Sequence, residues 1–163
     1  LRSLVPEDGK LFLVVPRKPE VRAKGELDLL VTKLTSKGRG GVNYLDPKYL
    51  EDEVETPKGP YLVLKIEDGR GMLNIAPREA KAKFAKAGRS PLTWFEVYCL
   101  YLSFGEAILG HHNIDCTGSR YESELVPNFY LYDGEPRFNY GWGDYSSHGW
   151  GSASCGSRVG PRG

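Results

Sequence analysis

The sequence predicts an α+β fold: a single domain in which a mixed or antiparallel sheet packs against two main helices, followed by an irregular Gly/aromatic-rich C-terminal segment. Three observations predict it. Short β-prone apolar runs lie far apart, at Leu11–Val15 and Tyr61–Ile66. Two helical patterns follow each other directly between Pro77 and Leu109. Beyond Gly110 helical periodicity stops and aromatic residues interleave with turn residues. Strands and helices are thus partly segregated along the chain, unlike the regular alternation of an α/β fold.

Leu11-Phe12-Leu13-Val14-Val15 reads as a buried strand closed by Pro16. The charged stretch Arg17 to Gly25 reads as a loop. Leu27, Leu30, Val31 and Leu34 have the spacing of a short amphipathic helix over Glu26–Leu34. Ser36 to Gly41 is a basic, glycine-rich turn without the Lys-Ser/Thr ending of a phosphate-binding loop. Asp46-Pro47 suits a helix start. Tyr61 to Ile66 is the second strong strand; Asp68-Gly69 is a turn, with Met72–Ile75 as its return strand.

Pro77 opens the next helix and Gly88 follows it. Thr93-Trp94-Phe95-Glu96 then has capping-box spacing, starting an apolar helix that runs to Leu109. Asn113 to Tyr121 supplies a further strand. Phe129–Tyr132 and Arg137–Trp142, joined across Asp133-Gly134-Glu135-Pro136, form a hairpin in the sheet with the Leu11–Val15 and Tyr61–Ile66 strands.

A chain of 163 residues is long enough for one core, so the expected domain spans 1–163, with 156–163 a flexible tail. Basic and acidic residues number 22 and 21, for a net charge of +1. That balance lacks the basic excess of a nucleic-acid footprint. Neither an apolar run long enough to span a bilayer nor a secretory pattern in Leu1–Val15 is present, so no membrane partner is expected. Three cysteines form an odd set unlike a secreted disulfide framework, which favours the cytoplasm.

The chemistry-bearing side chains concentrate after His111. All three histidines, two of three cysteines and two of three tryptophans lie there. His111-His112-x-x-Asp115-Cys116 holds zinc-type ligands but no metal-binding spacing, so no metal or cofactor is assigned. A thiolate nucleophile needs a base and an orienting group; Cys116 or Cys155 with His148 are the candidates, and no catalytic residue is assigned. Trp142 and Trp150 sit among glycines, where aromatic faces can stack on a ligand or plug the core. Arg120 can clamp a carboxylate or phosphate, or form a structural ion pair.

An ordered set of segments now adds a resemblance. It comprises Val14-Val15-Pro16-Arg17, Gly59-Pro60-Tyr61-Leu62, Leu73-Asn74-Ile75-x-Pro77-x-x-Ala80, Gly88-Arg89-Ser90-Pro91-Leu92-Thr93, Gly118-Ser119-Arg120, Val126-Pro127 and Trp150 through Val159. In this order they resemble a bacterial family known only as a domain of unknown function. The resemblance implies a soluble bacterial domain and brings no reaction. His148 and Trp150 fit a His-x-Trp element of that family, which ranks them above His111 and His112.

The expected function is a binding or interaction module whose surface comprises Arg120, Trp142, His148 and Trp150. Its ligand or protein partner, and its oligomeric state, are not specified by the sequence. The alternatives are a Cys/His-dependent hydrolase or transferase and a structural subunit of a larger assembly.

Overall fold

The β-prone runs and capped apolar segments become regular elements in a computed structural model that describes residues 11–161. The strands are β1 (Phe12–Val15), β2 (Thr35–Ser36), β3 (Arg39–Gly40), β4 (Val42–Asn43), β5 (Leu50–Asp52), β6 (Tyr61–Leu64), β7 (Ser90–Pro91), β8 (Asn113–Asp115), β9 (Ser119–Tyr121), β10 (Leu125–Tyr132), β11 (Glu135–Trp142), β12 (Trp150–Ser152), β13 (Ser154–Cys155) and β14 (Ser157–Val159). The helices are α1 (Lys24–Val31), α2 (Pro77–Lys86), α3 (Trp94–Phe104) and the short α4 (Glu106–Leu109). The fold is α+β, with mixed and antiparallel sheets around α3 and one shared hydrophobic core.

The expected single sheet divides in two. β1, β6 and β14 form a small antiparallel sheet in the order β1-β6-β14. The β10–β11 hairpin belongs instead to a seven-stranded sheet, whose main path is β12-β8-β10-β11-β4. Two of its pairings, β12 with β8 and β11 with β4, are parallel. The hairpin turn is tighter than the sequence suggests. Asp133 and Gly134 take φ of 49° and 73°, and Glu135 already pairs with Tyr132. Left-handed conformation at both central residues matches the twist of the flanking strands.

Register decides which side chains meet the core. Ile114, Phe129 and Phe138 are cross-strand partners and are fully buried. They face α3, where Tyr101 packs edge-on against Phe129 at 5.5 Å and Trp94 stacks on Phe138 at 5.6 Å. Strand side chains alternate faces, so the next row points away from this core. That row runs Ser152, Asp115, Asn128, Asn139 across β12, β8, β10 and β11.

The capping box forms as its spacing predicts. Thr93 Oγ1 accepts from the Glu96 amide at 3.3 Å, and Glu96 Oε2 accepts from the Thr93 amide at 2.9 Å. The helix does not run unbroken to Leu109, however. Gly105 takes φ 56° and ψ −139°, a conformation open essentially to glycine, and the chain restarts as α4.

Met72–Ile75 is not a return strand either. Asp68 Oδ1 accepts from the Arg70 amide at 3.2 Å and starts a 3-10 turn over Arg70–Met72. The Asn74 amide then donates to the carbonyls of Ser147 and Trp150. The Asp68–Arg70 turn thus leads this segment against the C-terminal loop.

Within the segment 156–163, Ser157–Val159 pairs with β6 as β14. Arg158 donates from Nε and Nη2 to the two Glu96 oxygens at 2.6 and 2.8 Å. It also donates to Ser90 Oγ and the Pro91 carbonyl, while Tyr61 donates to Glu96 Oε1. The N-terminus of α3, β6 and β14 are therefore tied at one buried carboxylate. Arg162 lies outside the described residues.

Candidate functional site

The outward row of the large sheet forms the floor of a cleft of about 300 Å³. Asp115, Asn128 and Asn139 lie along the floor. Tyr130 and Trp150 make one wall, their rings 5.3 Å apart. Tyr140, Trp142 and Tyr145 also line it, with Ser147 at the rim loop. The volume is at the small end of ligand clefts, and the wall chemistry is the usual aromatic kind.

Trp150 is set in place by the glycine after it. A Cβ on Gly151 would sit 2.1 Å from the Gly69 carbonyl oxygen, so only glycine lets these two backbones meet. β12 therefore seats against the Gly69 turn while pairing with β8, and Trp150 stands beside Asn113 at the cleft edge.

The floor is polar and largely uncompensated. Asn128 Oδ1 on the floor is buried without a hydrogen-bond partner, as is Ser152 Oγ, which pairs in register with Asp115 but does not line the cleft. Asp115 is 6% exposed, and burial pushes its carboxyl up to about 7. No donor or cation among the described residues offsets that desolvation. An unpaired buried polar group costs about 1–3 kcal/mol, and the row holds two beside a buried carboxyl. Near neutral pH the Asp115 carboxyl can act as donor or acceptor.

The structure separates the residues singled out from the sequence. Trp142 and Trp150 line the cleft together. His148 is exposed on the rim loop next to Ser147. Arg120 is elsewhere: on β9 it ion-pairs with Glu51 and lines a second cleft of about 270 Å³. That cleft also holds Arg78 and Lys81, paired with Asp144 and Glu53.

The thiol candidates are poorly placed for chemistry. Cys116 and Cys155 are both 0% exposed, whereas His148 is exposed. Burial pushes the Cys155 thiol up to about 11 and the Cys116 thiol well above its ordinary value. A reactive cysteine needs the opposite shift. The paired histidines are occupied structurally. His111 Nδ1 and His112 Nδ1 are 2.9 Å apart, and His112 Nε2 donates to the Asp68 carbonyl at 2.6 Å. No group of three or more His, Cys, Asp or Glu among the described residues is arranged to hold a metal.

The sequence offers Asp115 as a metal ligand, a partner to a thiol or an ion-pair partner of Arg120, and the aromatic-glycine run Asn139 to Tyr145 as a groove lining, but it gives no role to Asn128 or Tyr130. A signal was present in the hairpin. Asn128 and Tyr130 alternate with Phe129, while Arg137 and Asn139 flank Phe138. That alternation marks a polar face opposite the core face.

Sheet and cleft together define an α+β protein with an aromatic-walled, polar-floored cleft on the outer face of its larger sheet. The chain belongs to a family of unknown function (DUF5701), whose family model matches residues 3–161. No curated protein matches the chain, and no solved structure does. No helix among the described residues is long and apolar enough to cross a membrane.

Proposed function

We propose that this protein is a binding module that takes a small polar ligand into the cleft bounded by Trp142 and Trp150. One observation carries the reading. On the cleft floor Asn128 Oδ1 is buried without a hydrogen-bond partner beside the buried Asp115 carboxyl, next to aromatic walls. A protein that needed these groups only for stability would do better with apolar residues there. Groups left unpaired in the free protein are groups a ligand can satisfy.

Trp142 supports the reading from the other side. It is 64% exposed, so it contributes little to the core while presenting a large aromatic face to the cleft. The free thiols Cys99, Cys116 and Cys155 are all buried and suit a reducing compartment, which is why we place the protein in the cytoplasm.

The test uses the three indole N–H signals of nitrogen-15-labelled protein, assigned by single Trp→Phe substitutions. A panel of small amines, sugars and nucleosides is titrated in. At least one compound is expected to shift the Trp142 and Trp150 signals and leave that of buried Trp94 in place. Trp142→Ala should keep the melting temperature within a few degrees and weaken the same compound tenfold or more. A panel that moves none of the cleft indoles contradicts the reading.

A further inference from the structure

We infer that the cleft is selective for a protonated primary or secondary amine, with its ammonium group held by Asp115 between the aromatic walls. This rests on the binding reading above and names the ligand class of the same site. The cleft lining contains one acidic side chain, Asp115, and neither lysine nor arginine. Five of its ten lining residues are aromatic. A carboxylate beneath aromatic faces is complementary to an organic cation, because the ring faces carry negative potential that adds to the carboxylate's.

Two arginines on neighbouring elements are engaged with other partners. Arg137 lies over the Tyr132 ring at 4.4 Å and donates to Glu135, and Arg78 is paired with Asp144. Nothing positive among the described residues neutralises Asp115. The free row also presents oxygen atoms: the Asp115 carboxyl, with Asn128 Oδ1 beside it in register. An ammonium bearing N–H groups can donate to both, whereas a quaternary ammonium can donate to neither. A neutral polyol can donate as well, but it leaves the desolvated carboxyl without a counter-charge. A cation supplies hydrogen bonds and the missing charge together.

Burial favours the neutral carboxyl in the free protein, so amine binding must drive its ionisation and release a proton. The groups around Asp115 are Tyr130 on β10, Tyr140 on β11, Tyr145 on the rim loop, Tyr101 on α3 and the adjoining Cys116. Histidine is the other side-chain type that titrates near neutrality, and His148 follows the lining residue Ser147. His148→Gln is therefore the control for the pH profile.

Benzylamine is the probe, benzyl alcohol its neutral counterpart and glucose the polyol, each followed by the Trp142 and Trp150 indole signals. N-acetyl-lysine N-methylamide is a further arm, separating a lysine side chain from a free amine as the natural source. Benzylamine or the lysine derivative is expected to bind, and benzyl alcohol and glucose to bind at least tenfold more weakly. Affinity should fall about tenfold or more from pH 8 to pH 5.5 in wild type and in His148→Gln. Asp115→Asn should abolish both the selectivity and the pH dependence. The wild-type pH profile serves as the test even if that variant folds poorly. Equal binding of benzyl alcohol or glucose, or a flat pH profile, overturns the amine assignment and leaves the cleft reading standing. Silence of the cleft indoles to every probe overturns both.

Discussion

Asp115 has a cost that can be measured as stability. Its carboxyl is pushed from 3.8 up to about 7 by burial alone. Below about pH 4 the folded and unfolded chains both hold the proton, and the group imposes no pH-linked penalty. As pH rises toward 7 the unfolded chain ionises first, so stability falls; above 7 the loss is complete, on the order of 4 kcal/mol. Asp115→Asn keeps the shape of the side chain and removes the titration. In parallel urea unfolding, the variant is expected to gain on wild type between pH 4 and pH 7, with the difference level above that. A constant difference across the range contradicts the burial of an uncompensated carboxyl. Little of this was legible in the sequence. The row around Asp115 comes from four strands, and its solvation depends on how they register, not on its chain neighbours.

At the scale of elements, the readable parts were those with short-range causes. The Thr93–Glu96 capping box and the Asp133-Gly134 turn are each complete within four residues. The Gly105 break in the long helix and the 3-10 turn after Asp68 depart from that reading, although both use residues visible locally. There apolar spacing outweighed the backbone signal. β14 was illegible for a different reason: Arg158 finds Glu96 across 62 residues. That ion pair is buried, with side chains 9% and 0% exposed. Removing one partner leaves a buried charge without compensation, which costs about 3–5 kcal/mol. Arg158→Met should lower the urea-unfolding free energy by that amount and release the β14 amides to fast hydrogen exchange. A loss under about 1 kcal/mol, with β14 still protected, would show the pair to be incidental.

Across the whole molecule, the large sheet separates two tasks. Its inner face, with Ile114, Phe129 and Phe138, builds the core against α3. Its outer face, braced through Gly151 and Asn74, carries the cleft. Trp142 and Trp150, both from the compositionally unusual last third of the chain, line the cleft together. Its histidines and thiols were the more conspicuous chemistry, yet the paired histidines hydrogen-bond structurally and the thiols are sealed in the core. Arg120, the remaining candidate, is committed to Glu51 beside another cleft. Asp115 meets its cleft neighbours through the register of separate strands, which only tertiary structure brings together.

Asp115 is a buried carboxyl at the floor of the cleft, with burial as the cause of its raised titration. Carbon-13 NMR of the aspartate carboxyl carbons, titrated with pH, measures this directly. The Asp115 resonance, assigned by its loss in Asp115→Asn, is expected to titrate at about 7 in the free protein and to move down when benzylamine is added. A midpoint near 4 in the free protein would contradict the account, because it would show a carboxyl already solvated or paired.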